Sequence, residues 1–205
     1  YDAKGMLISA IEDNNPVIYI EHRWLHNIKD AVPAEPYRAL LDRARVLHGG
    51  DQVTVAAFSY MVMEAMQVAR ALAPHGIRVE VIDMRSARPL DVDTVAISVR
   101  KTGHLLVLDT AWTSGSVAGE LIMRVVEREF GALRKAPVRM ASPDHPAPTS
   151  HHLAGVYYPD AVQIYEAIAA LTAAKLTSEK HESVLVSIRP TGPHDVPNAK
   201  FTGPF

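Results

Sequence analysis

From Val53 to Lys175, short β-branched apolar runs alternate with longer stretches whose apolar residues recur every three or four positions. No other feature restricts the fold as strongly. The spacing predicts strand Val53 to Ser59, helix Met61 to Ala73, strand Ile77 to Met84, helix Asp91 to Lys101 and strand Leu105 to Asp109. Helix Val117 to Leu133, strand Val138 to Ala141 and helix Ala161 to Lys175 follow. Strands and helices of these lengths build βαβ units, and so an α/β layer structure on a mostly parallel sheet. The punctuation agrees: Gly76 follows Pro74-His75, Asp91 is placed to cap the helix after it, and Gly103 sits where a left-handed helix end needs glycine.

The flanks read differently. Met6, Leu7, Ala10 and Ile11 share one helical face that ends at Asp13-Asn14-Asn15-Pro16, where proline forbids continuation. Val17-Ile18-Tyr19-Ile20-Glu21 then predicts a short buried strand. These elements cannot close a core alone, so residues 1–26 are expected to be the end of a preceding domain, and residues 27–50, with Pro33, Pro36 and Gly49-Gly50, a linker with a lead-in strand. Residues 51–176 form the main domain. Residues 177–205 carry Pro190, Pro193, Pro197 and Pro204, and predict an extended arm in which Val184 to Ile188 alone could be a strand. Tyr1 opens the sequence inside an amphipathic pattern, which predicts a longer polypeptide upstream.

Composition excludes several classes. A net charge of −2 without a basic block gives no footprint for nucleic acid. Charge interrupts every apolar run well before the ~18 residues of a membrane span. Zero cysteines remove disulfides, thiolate catalysis and Cys-type zinc sites, and fit a reducing compartment, by default the cytoplasm.

In an open parallel sheet ligands sit at the carboxyl ends of strands, here Ser59-Tyr60, Asp83-Met84-Arg85, Asp109-Thr110 and Ser142-Pro143-Asp144. No phosphate loop occurs. Ser114 to Gly119 precedes a helix, but small residues there also serve close packing. Gly115 directly before Ser116 breaks a nucleophile elbow. His22 with His26, and His145 with His151 and His152, lack a third ligand at metal spacing and read as loop histidines. Asp83 with Arg85 reads as an ion pair or as a charged connection, and Glu21 as a residue near an interdomain cleft.

Longer strings carry a resemblance. Asp2-Ala3-Lys4-Gly5-Met6-Leu7 and Ser9 to Ile18 resemble the end of the pyrimidine-binding domain in β subunits of thiamine-diphosphate-dependent 2-oxo acid dehydrogenases. Gly76 to Ser86 with Pro89-Leu90-Asp91, Ser98 to Leu105, Ala136-Pro137-Val138-Arg139 and Asp144 to Pro148 continue the similarity in order, to about Leu171. The resemblance implies a three-layer fold like the transketolase carboxy-terminal domain, with a five-stranded, mostly parallel sheet behind a remnant of the pyrimidine-binding domain. It also implies oxidative decarboxylation of a 2-oxo acid such as pyruvate. Thiamine diphosphate and magnesium serve the intact enzyme, while the activating glutamate and active-site histidine lie upstream of the match. This chain is therefore expected to supply no catalytic or cofactor-binding residue. The implied partners are an α-type subunit holding the diphosphate and a second copy of the chain, for which the helix faces at Val62-Met63-Met66 and Val117-Leu121-Ile122 are candidate contacts. Related β subunits hold a structural potassium ion through carbonyls and an acidic side chain, and the matching positions are Ala10, Ile11, Asp13 and Asn15.

Two departures limit the resemblance. Lys135 stands where many relatives carry an acidic residue that docks the acyltransferase core, and the chain runs past the helix at which family members often end. Two other readings remain: the carboxy-terminal subunit of a split transketolase, and a free-standing dimerisation or binding module.

Overall fold

The computed structural model describes residues 1–190 together with 192 and 196. Five strands form one sheet: β1 (Arg45–His48), β2 (Val53–Ala57), β3 (Val79–Asp83), β4 (Leu105–Trp112) and β5 (Val138–Ser142). Their spatial order is β1-β3-β2-β4-β5, with β1 antiparallel to β3 and the other pairs parallel. Around them lie α1 (Asp2–Glu12), α2 (Met61–Leu72), α3 (Val92–Thr102), α4 (Val117–Glu129), α5 (His151–Tyr157), α6 (Ala161–Thr172) and α7 (Ser178–Ile188). The mixed, mostly parallel sheet flanked by helices is the expected fold.

Alternation along the strands divides the core in two. Val53, Val55, Val79, Val81, Leu106 and Leu108 point to one face, which α2, α6 and α7 cover. Ala56, Ile82, Leu105 and Val107 point to the other, under α3 and α4. β2, β3 and the first five residues of β4 are buried on both faces, which is why these runs are continuously apolar rather than alternating. Full burial of each Val, Leu or Ile contributes roughly 1.5–3 kcal/mol before the cost of ordering the chain.

Helix ends follow local chemistry. Asp91 accepts the Thr94 amide at the start of α3, and Gly103 ends that helix at φ 72°. Asp160 and Gln163 make a reciprocal capping box at α6. α6 stops at Thr172, short of the expected Lys175, where Ala173 turns to φ 52°. Past Asp109 the expected third strand continues to Trp112, pairing there with Ser142.

Four expectations are corrected. Residues Val17 to Glu21 form no strand: no strand lies beside them among the described residues, and Ile18 and Ile20 are each 87% exposed. Val184 to Ile188 belong to α7, whose Val184, Leu185 and Ile188 fall on one helical face and pack into the first core. Thr177 caps that helix by accepting the Lys180 amide, so the beginning of the predicted arm is helical; residues 191, 193–195 and 197–205 lie outside the described part. The faces Val62-Met63-Met66 and Val117-Leu121-Ile122 are not free for a second copy. Val62, Met63, Met66 and Leu121 are buried, and Val117 and Ile122 pack against the second core. The helix α5 was not anticipated, because Pro146 and Pro148 and the paired histidines made that stretch read as loop.

Candidate functional site

The connections from β2 and β4 leave on opposite faces of the sheet, through α2 and α4. The crevice between the carboxyl ends of these adjacent strands is where open α/β sheets bind ligands. Beside it, at the end of β2, several of the chain's own rings gather. Ser59 bends the chain after β2 at φ 54° and brings Tyr60 to the rim. The Tyr60 ring stacks with His22 at 5.5 Å and meets Trp24 edge-on at 4.9 Å. Trp24 also faces Tyr158 at 6.3 Å, Tyr158 abuts Tyr157 at 4.9 Å, and the Tyr157 hydroxyl accepts a bond from Trp112 Nε1 at 3.0 Å. The segment before the linker, the end of β2 and the end of α5 thus meet in one aromatic cover. Burial, and then the neighbouring His26, keep the His22 imidazole below its usual pKa.

Glu64 lies one helical turn inside this cover, 7% exposed. Burial pushes its carboxyl up to about 7 and the nearby Asp160 adds to this, while the Tyr60 hydroxyl and the Ala161 amide, which donate to it, partly offset the rise. The group can hold a proton near neutral pH, but the rings above it shut it off from solvent.

The other strand ends are occupied by structural bonds. Asp109 accepts the amides of Ala111 and Ala118, pinning the start of α4 to β4. Ser114 donates from its amide and hydroxyl to Asp144, joining the loops after β4 and β5. Gly119 faces Arg139, whose Nη1 would stand 2.9 Å from an added Cβ, so Gly119 serves close packing, whereas Gly115 has open space around it and serves the turn at φ 74°. Asp83 accepts the Arg85 amide, yet the ion partner of Arg85 is Asp2 in α1. Glu21 is exposed beside His26 at 3.6 Å. Among the described residues no group of three or more His, Cys, Asp or Glu side chains is arranged to hold a metal ion.

Ala10, Ile11, Asp13 and Asn15 lie together where α1 ends. Both the amide and the side-chain nitrogen of Asn15 donate to Asp13 Oδ1, at 2.8 and 2.9 Å, and these bonds hold the Asp13 carboxyl below its usual pKa. Asp13 and Asn15 are exposed, and the last carbonyls of a helix lack partners within it. The donor set is all oxygen, which fits a hard cation.

Sequence reasoning missed the aromatic cover, the buried Glu64 and the Asp2 to Arg85 pair. The adjacent Tyr157 and Tyr158 were the available signal for the first. The other two join residues distant in sequence.

A doubly wound α/β sheet with one antiparallel edge defines the class. The chain belongs to the transketolase C-terminal domain family, described as "Transketolase, C-terminal domain", which matches residues 42–164. It is 41% identical over 165 residues to the beta subunit of acetoin:2,6-dichlorophenolindophenol oxidoreductase of Cupriavidus necator, covering 80% of this chain and 48% of that protein. It is 39% identical over 173 residues to the pyruvate dehydrogenase E1 component subunit beta of Gracilaria tenuistipitata var. liui, covering 83% and 53% respectively. The corresponding Bacillus subtilis subunit is 38% identical over 151 residues, covering 73% and 46%. Among solved structures, a split-gene transketolase described as an inactive beta4 tetramer is similar at a TM-score of 0.57 and 26% identity, covering 68% of this chain and 45% of that one. The chain spans about half the length of the curated relatives it matches.

Proposed function

We propose that these residues serve as the carboxy-terminal part of a β-type subunit in a thiamine-diphosphate-dependent 2-oxo acid dehydrogenase of the pyruvate type, holding the assembly together rather than supplying catalytic groups. The observation that carries this reading is the ring cluster in which His22, Trp24, Tyr60 and Tyr158 pack on one another and so join the segment before the linker to the end of β2 and the end of α5. The relatives' names support the branch, since the proteins that the chain resembles at 38 to 41% identity are beta subunits of a pyruvate dehydrogenase component and of an acetoin oxidoreductase.

The reading assigns thiamine diphosphate and magnesium to the complete enzyme, with an α-type subunit as the partner that holds the diphosphate. The cofactor supplies the electron sink for decarboxylation when bound. This chain's own residues contribute position: the aromatic cover joins the segment before the linker to the sheet, and α1 is fastened to the sheet through Asp2, Arg85 and Arg45. Association with a second copy in the cytoplasm belongs to the same reading, through surfaces other than the buried helix faces. Lys135, whose Nζ donates to the Ala170 carbonyl at 2.5 Å, stands where the resemblance expects the acidic contact and so argues against docking to an acyltransferase core. Potassium belongs to it at Ala10, Ile11, Asp13 and Asn15 as a structural ion that would tie down the end of α1.

Assay of the chain alone with thiamine diphosphate, magnesium and pyruvate tests the assembly role. The expected result is no carbon dioxide release above the uncatalysed background. Turnover by the chain alone would overturn it.

A further inference from the structure

α1 is joined to the sheet by a small ionic cluster whose geometry is unusual in three respects. Arg85 is not glycine, yet stands at φ 58°, a conformation L side chains rarely adopt. Its side chain is only 9% exposed, although it is charged. Finally, its ion pair with Asp2, Nη2 to Oδ1 at 2.8 Å, is poorly directed: Asp2 Oδ1 and Arg85 Nε are both buried without a hydrogen-bond partner. A buried guanidinium held by one badly aimed carboxylate has unused donor capacity.

A second carboxylate is already within reach. Asp83 Oδ1 accepts the Arg85 amide at 3.0 Å, and Asp83 pairs in register with Arg45 across β1 and β3. Arg45 in turn approaches Asp2 Oδ2 at 3.4 Å. Two carboxylates thus share two guanidiniums, one carboxylate on α1 and the other on the sheet. We propose that Asp2, Arg45, Asp83 and Arg85 form an exchange latch, which holds α1 against the carboxyl edge of the sheet and releases it when Asp83 takes Arg85 as its own partner.

The direction of the switch follows from linkage. Burial pushes the Asp83 carboxyl up to about 6, and Asp2 raises it further against the opposing pull of Arg85 and Arg45. Because Asp2 disfavours the ionised form of Asp83, ionised Asp83 must equally disfavour docked Asp2. A group with a raised pKa in the docked state stabilises that state at low pH and loses the contribution as pH rises through the docked value. The latch therefore holds while Asp83 is protonated and Asp2 ionised, and loosens as pH rises through about 6.

The remaining groups around the pair do not titrate in a way that would mimic this. The Asp83 neighbour across β2 is Ala57. Asp91, at the start of α3, is kept below its usual pKa by hydrogen bonds from Thr94 and Ala44 and by Arg43, whose carbonyl accepts from Arg85 Nη1 at 3.3 Å. Tyr19 and Tyr37, which sense Asp2, are raised above an already alkaline value. Other ties of α1 are to the linker and the segment before it: Lys4 donates to the carbonyls of Pro33, Ala34 and Glu35, the Ala39 amide to that of Gly5, Ser9 to the Ala39 carbonyl and Tyr19 to that of Ala3. Arg38 pairs with Glu12 and holds its carboxyl below the usual value, a tie that strengthens rather than loosens as pH rises. The latch does not rest on the functional reading above.

Hydrogen exchange of the 205-residue chain, corrected for intrinsic rates, tests it at about pH 4.5 and about pH 7. The expected result is exchange in residues 6–12 on the order of ten-fold faster at the higher pH, with peptides from β2 and β4 unchanged. Asp83→Asn should keep α1 protected at both values. Asp2→Asn should leave it unprotected at both, and, lying in the first turn of α1 outside the sheet, it keeps the test decisive if Asp83→Asn misfolds. Equal protection of wild-type α1 at both values, or a pH response that survives either substitution, would overturn the latch.

Discussion

The hydroxyl of Thr54 lies 2.6 Å from that of Ser98, fully buried between β2 and α3. Thr102 stands 2.7 Å from the Thr54 oxygen and also donates to the His104 carbonyl, and Ser98 also bonds the Glu80 carboxylate, so Thr54 is the member that depends wholly on the other two hydroxyls. A buried hydroxyl that loses its partner costs about 1–3 kcal/mol, whereas Val has nearly the shape of Thr. Thr54→Val is therefore expected to lower stability by about 1–3 kcal/mol, and the triple change that also makes Ser98 and Thr102 apolar should recover part of that loss. Urea titration of the three proteins checks it; a Thr54→Val protein as stable as wild type would mean that the triad holds nothing.

Glu64 sets a second expectation. Its carboxyl titrates near 7 in the folded chain against 4.5 for an ordinary glutamate, so the stability it allows is complete below about pH 4.5 and is lost as pH rises through about 7. Glu64→Gln cannot ionise, and keeps an oxygen for Tyr60 and Ala161. At about pH 8 it should be more stable than wild type by about 2 kcal/mol, with the advantage vanishing towards about pH 4. Thermal denaturation across that range decides the matter, and parallel pH profiles for the two proteins would contradict it.

Potassium gives the third. If Ala10, Ile11, Asp13 and Asn15 hold the ion, replacing sodium by potassium at constant ionic strength should raise the melting temperature by about 2 °C or more, by mass action on the folded state. Asp13→Asn removes the acidic ligand and should abolish the difference. A wild-type protein indifferent to the exchange would exclude this site.

The sheet was legible because its signals are local and mutually consistent. Val53 to Ala57 and Val79 to Asp83 are short apolar runs that hardly any other structure can use, and Asp91, Gly76 and Gly103 mark helix ends by their own backbone chemistry. Val17 to Ile20 carried the same β-branched signal and formed no strand, because a strand exists only with a neighbour and none of the described strands lies beside it. Val184 to Ile188 failed the same test from the other side: with α2 available to pack against, a three- to four-residue apolar spacing outweighed β propensity. The site was less legible than the fold. The aromatic cover joins His22 and Trp24 to Tyr60 and Tyr158, and the latch joins Asp2 to Arg85, pairings that no local pattern encodes.

The central claim is that this domain works as part of a larger β-type subunit beside an α-type partner. Native mass spectrometry of the polypeptide purified intact from its source cells tests that most directly. The account predicts a chain heavier than 22.4 kDa in a complex that contains an α-type subunit. A polypeptide of 22.4 kDa, carrying no such partner under conditions that preserve weak complexes, would contradict it.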